Sequence, residues 1–201
     1  ETPMRIKKTN AFLVYLLVSP LTGVAQESYT VPRTMDGQPD LQGIWQTLNT
    51  AVWNIQDHSS SWGVPAGQGV VVGNEIPYQP WAQEQREENF QNRMTEDTEA
   101  NCKMVGVPRI TYMPYPFQIF QSESAFFIAY SFAGAVRNVF LEDPGEAPLD
   151  SWMGQSWGYW EGDTWVVEAS GFDDRTWFDR AGNYHTYQLK VTERYDLVSE
   201  N

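Results

Sequence analysis

The chain has 201 residues, 13 Lys and Arg against 26 Asp and Glu, and a formal net charge of −13. That length fits one domain with a real core. The acidity and the lack of clustered Lys and Arg exclude a nucleic-acid binder and disfavour anionic lipid surfaces. A single Cys, Cys102, excludes an internal disulfide, so packing must supply the stability.

Residues 4–25 read as a secretory leader: Met4, then the basic Arg5, Lys7 and Lys8, the apolar Ala11–Val18, Pro20, and a small-residue cleavage site at Gly23-Val24-Ala25. The apolar run is shorter than the about 20 residues of a membrane span. The expected product is periplasmic or secreted, makes no membrane contact after cleavage, and forms one β-rich domain over residues 26–201. Glu1-Thr2-Pro3 precede the Met, and Asn201 directly follows a strand pattern, so both ends read as those of a fragment.

Leu41–Thr47 predicts the first strand. Residues 53–79 are rich in Gly, Ser and Pro, and Gly67-Gln68-Gly69 reads as a turn into a short strand at Val70–Val72. It lacks the Lys-Ser/Thr that a phosphate loop requires. Pro80 opens a predicted helix, Pro80–Met94, whose narrow apolar stripe of Trp81, Phe90 and Met94 places it outside the core. Phe117–Gln121, Ala125–Phe132 and Ala135–Leu141 are aromatic and β-branched runs at hairpin spacing. Ser156–Trp160 and Trp165–Ala169 flank Gly162-Asp163, a type II′ hairpin signal that pairs Trp160 with Trp165 and Tyr159 with Val166. Gln188–Val198 is the last strand pattern. The fold class is therefore all-β and mainly antiparallel: a lipocalin-like barrel or half-barrel meander with one peripheral helix.

Two resemblances follow from these motifs. Gly43-Ile44-Trp45 resembles the Gly-x-Trp opening of lipocalin-like barrels, which implies that Arg194 packs on the Trp45 ring at one barrel end. Pro32-Arg33-Thr34, Asp36-Gly37, Pro39-Asp40-Leu41, Trp160–Thr164 and Thr192-Glu193-Arg194-Tyr195 together resemble a large group of exported bacterial proteins. This resemblance implies export and assigns no catalytic residues.

Chemistry concentrates in and around the loop Ser170–Tyr184. Asp173, Asp174 and Asp179 lie close to His185, and a carboxylate, one of these or Glu193, holding an imidazole is the common general-base arrangement. The same aspartates also suit turn capping. Arg137 and Glu193 sit in β runs; strand-face solvation is the simpler reading, and an ion pair across the interior is the other. Two His without metal-ligand spacing, and acidic residues without Ca²⁺-loop alternation, predict no metal, and nothing predicts a cofactor. Phe126, Tyr130, Trp157, Tyr159, Trp160 and Trp165 offer surface for a core or for an apolar pocket with Arg137 at its lip. The leading reading is a small-molecule binder for an apolar or aromatic ligand. A barrel enzyme (hydrolase, lyase or isomerase) with His185 as general base, and an envelope protein-interaction module, stay open; the oligomeric state is not specified.

Overall fold

The structure, a computed structural model, describes residues 29–199; the predicted leader lies outside them. Among the described residues seven strands form one sheet in chain order: β1 (Gly43–Trp45), β2 (Phe117–Gln121), β3 (Phe126–Tyr130), β4 (Val136–Phe140), β5 (Gln155–Glu161), β6 (Thr164–Ser170) and β7 (Val191–Tyr195). The sheet curls into a half-barrel, with one helix, α1 (Pro80–Glu96). The mainly antiparallel all-β class holds. Among the described residues no helix is long and apolar enough to cross a membrane.

The continuous antiparallel meander expected over residues 108–198 needs one correction. β4 and β5 pair in parallel, through Val139 with Ser156 and Phe140 with Trp157 alone. A parallel pair requires a crossover of about a dozen residues or more. The Pro- and Gly-punctuated segment 141–154 supplies that length without a helix. The Trp hairpin forms in the expected register, Trp160 opposite Trp165 and Glu161 opposite Thr164. Gly162 takes φ 63° at the first central position, as a II′ turn demands.

Strand alternation sends Ile119, Ile128, Val139, Trp165 and Val167 to the concave face, where all are buried. The insertion between β1 and β2 fills that concavity. Val105, Val107, Ile110 and Met113 join the same buried cluster, so the half-barrel closes over its own chain. Trp165 is wedged between Phe126 and Trp160, with ring centroids 4.8 and 4.9 Å away, and its indole lies over Gly158.

Three local expectations change. Val70–Val72 is not a strand: the backbone makes a short 3-10 turn at Val72–Asn74 instead, because Gly73 enters the left-handed region. On α1, Trp81 and Met94 are exposed, and the buried positions are Ala82 and Asn89. The helix docks by close backbone approach rather than by an apolar stripe. Asn89 Nδ2 donates to the Gly182 carbonyl at 3.2 Å, and a Cβ at Gly182 would stand 2.8 Å from the Phe90 nitrogen. Third, Arg194 does not cap Trp45. It lies on the outer face, paired with Glu161 at 2.7 Å, because its neighbours Glu193 and Tyr195 take the inward positions. Trp45 packs against the core from the opposite side, its indole N–H donating to the Leu41 carbonyl at 3.0 Å.

Gly158 offers a direct test of this packing. A Cβ there would meet Trp165 Cζ2 at 2.5 Å, and the indole has no room to retreat. Gly158→Ala should lower the unfolding free energy by about 1–3 kcal/mol in urea titrations, the usual cost of overpacking a core. Unchanged stability would show that the hairpin is packed less tightly than described.

Candidate functional site

The acidic loop organises backbone more than it activates His185. Asp179 is fully buried and accepts four N–H groups: those of Ala181 and Asn183 on Oδ1, that of Ile55 on Oδ2, and the Asn183 amide on Oδ2. Burial pushes its carboxyl up, and those donors oppose the shift. Asp173 binds the Arg175 guanidinium through both oxygens and accepts the Arg175 backbone N–H at 3.0 Å. Asp174 is exposed.

None of these carboxylates, nor Glu193, is hydrogen-bonded to His185; the carboxylate-held imidazole that the enzyme reading requires is replaced by two threonine contacts. Nε2 lies 2.8 Å from Thr176 Oγ1 and Nδ1 lies 3.1 Å from the Thr186 carbonyl. A carbonyl can only accept, so Nδ1 carries the proton and Nε2 accepts from the threonine hydroxyl. The ring packs beside Phe172 and Phe178. Burial holds its pKa below the ordinary value, despite opposing contributions from the Thr186 carbonyl, Asp174 and Asp173.

The aromatic set divides between the two faces of the sheet. Phe126, Tyr130 and Trp165 are buried in the core, with Trp160 packed against it. Trp157 and Tyr159 stack on the outer face, centroids 4.9 Å apart, with the Tyr159 hydroxyl 3.2 Å from Glu168. Arg137 meets Glu193 instead of lining a lip. Its Nη1 lies 2.6 Å from Glu193 Oε2 and its Nε donates to Ser156 Oγ at 2.9 Å. The contact is a close ion pair out of hydrogen-bond alignment: Nη2 and Oε1 also lack partners among the described residues. Tyr130 and Tyr195 flank the pair, and burial pushes the Tyr130 hydroxyl up to about 12.

A cleft of about 820 Å³ opens elsewhere, between α1, residues 53–64 and the Arg180 turn. Two stacked pairs form its walls. The Arg180 guanidinium lies 4.1 Å from the Trp53 ring centroid, and that of Arg93 lies 4.0 Å from the Phe90 centroid. A network of ion pairs fixes this geometry from behind. Buried Arg109 holds both oxygens of Asp97, at 2.7 and 3.0 Å, and reaches Glu99 Oε2 at 2.6 Å. Arg180 takes the same Glu99 in a fork, Nε to Oε2 at 2.8 Å and Nη2 to Oε1 at 2.5 Å. Burial alone would raise the Glu99 carboxyl, but the Arg180 hydrogen bond and the charge of Arg109 hold it below the usual range. Asp179 completes the frame: its turn sets Arg180, and its bond to the Ile55 nitrogen sets the wall carrying Trp53.

Of the residues singled out from the sequence, Arg137 and Glu193 are brought together, and Asp179 supports the cleft from beneath. The cleft residues Trp53, Arg86, Phe90 and Arg93 were not read as a site, and Arg180 was included only as part of the loop Ser170–Tyr184. One signal was available: Arg86, Phe90 and Arg93, spaced four and three apart, share a helix face. Among the described residues no three His, Cys, Asp or Glu side chains gather to hold a metal ion.

Two measurements check this geometry. Glu193→Ala leaves a buried guanidinium unpaired and should cost about 3–5 kcal/mol in urea unfolding, whereas the double change Arg137→Met with Glu193→Leu should cost far less. Equal losses would contradict a buried pair. For His185 the folded state disfavours the proton, so the unfolded chain binds it more readily. Stability should therefore fall as pH drops below about 6.5, and His185→Gln should flatten that part of the profile. Identical profiles for both proteins between about pH 7.5 and 5.5, a window bracketing the free imidazole pKa, would contradict the buried neutral ring.

Family models, curated protein sequences and solved structures give no match to the chain, so its function is read from the geometry of its own site.

Proposed function

We propose that the protein binds a small molecule with an apolar or aromatic body in the cleft beside α1. The observation that carries this reading is a concavity of about 820 Å³ walled by Trp53 and Phe90 and braced by the ion pairs that Asp97 and Glu99 in its lining make with buried Arg109 and with Arg180. Ligand sites are typically about 300–1,000 Å³, mostly preformed, and apolar with a few placed polar groups. The filled half-barrel argues for this cleft over the concave interior, since Val105, Val107, Ile110 and Met113 already occupy that space. The locked His185, with both ring nitrogens engaged, favours binding over general-base chemistry at that residue. Export to the periplasm or medium, read from the leader, belongs to the same proposal.

Native mass spectrometry of the full chain, isolated under non-denaturing conditions, tests the reading. A retained small molecule should be lost from Ala100→Trp, which plants an indole in the cleft wall at an exposed position. Retention by that variant would place the ligand elsewhere and overturn the proposal.

A further inference from the structure

The hydrogen-bonding ledger of this cleft is lopsided. Its inner acceptors are spent. Both oxygens of Asp97 are held by Arg109, and both oxygens of Glu99 are held by Arg109 and Arg180. Its donors are not. The Arg86 side chain is only 18% exposed, yet its guanidinium donates no hydrogen bond to any acceptor among the described residues. Its nearest carboxylate, Glu87, stands 3.6 Å away at the rim, is 56% exposed, and already accepts from Gln91 at 2.9 Å. A rim pair of that kind contributes little. Arg93 donates through Nη1 to the Phe90 carbonyl, and its remaining N–H groups have no partner among the described residues.

Both guanidiniums address the same ring. Arg93 lies 4.0 Å and Arg86 5.5 Å from the Phe90 centroid, so both positive charges border the same ring in the cleft lining. A half-buried guanidinium without a hydrogen-bond acceptor has lost part of its hydration without replacement. That cost is relieved by an anion, whose oxygens match the planar fork of an arginine. In a chain of net charge −13, Arg86, Arg93 and Arg180 line one cleft, and of its lining carboxylates Asp97 and Glu99 are already paired with Arg109 and Arg180 while Glu87 stands beside Arg86.

We infer that the cleft selects ligands carrying an anionic group, such as a carboxylate, sulfonate or phosphate, beside an apolar or aromatic body. Arg86 and Arg93 take the anionic group, and the Phe90 and Trp53 rings take the body. This inference rests on the cleft being the ligand site.

A matched pair of fluorescent probes separates the two claims: 1-anilinonaphthalene-8-sulfonate, and N-phenyl-1-naphthylamine, which is the same molecule without the sulfonate. Titrated into the full chain, the sulfonate should bind at least about tenfold more tightly, the scale expected of charge-assisted hydrogen bonds, and its advantage should shrink as salt rises. Arg86→Gln with Arg93→Gln should erase the preference while leaving binding of the neutral probe in place, which also reports an intact cleft. Ala100→Trp should displace both probes. Equal affinities in the unaltered protein would overturn the anion selectivity and leave the cleft reading standing. Binding that survives Ala100→Trp, or no binding of either probe, would overturn the cleft reading and the inference with it.

Discussion

The joint between β4 and β5 is the constraint on which the rest of the molecule depends. It is the one parallel pairing in the sheet and rests on two residue pairs, so backbone hydrogen bonding contributes little there. Side chains bridge it. Arg137 leaves β4, donates to Ser156 on β5 and pairs with Glu193 on β7, spanning the concave face above Gly158. A buried ion pair is a poor source of net stability, because desolvating both charges offsets most of their attraction. Its effect is orientational. A strand shifted by one residue would bury Arg137 without Glu193, and that alternative is costly.

With the joint held, the half-barrel keeps a fixed concave face, and the insertion between β1 and β2 folds into it. Val105 and Val107 enter the core, and Arg109 follows directly, fully buried, where its fork captures Asp97 at the end of α1. One short segment therefore plugs the barrel and anchors the helix. From Arg109 the network runs through Glu99 to Arg180 and onto the face of Trp53. The cleft keeps its shape because the carboxylates Asp97 and Glu99 in its lining are paired with Arg109 and Arg180. Its rings and its unspent guanidiniums are left facing the opening.

Much of this architecture was legible in the sequence, and the reasons are local. Phe117–Gln121 and the Gly162-Asp163 hairpin announce themselves through aromatic and β-branched content and turn chemistry, which operate within a few residues. The direction of β5 was not legible, because segment 141–154 reads as loop by composition and composition carries no heading. The helix was found, but its apolar residues misled. Trp81 and Met94 look like a docking stripe, whereas α1 docks through Asn89 and the bare backbone of Gly182. His185 shows the same limit. Sequence proximity to aspartates offered a carboxylate partner, and the fold supplied Thr176 instead. The cleft draws its walls from residues 53–64, from α1 and from Arg180, segments that only the tertiary fold makes neighbours.

On the proposed reading, ligands enter the α1 cleft and leave the filled half-barrel undisturbed. Hydrogen–deuterium exchange on the full chain, with and without saturating 1-anilinonaphthalene-8-sulfonate, tests it most directly. Ligand in the α1 cleft should add protection in residues 53–64, in α1 around Arg86–Met94, and at Arg180-Ala181, with β3 to β6 unchanged. Protection confined to β3 through β6, with α1 and residues 53–64 unaffected, would contradict it and return the ligand to the barrel interior.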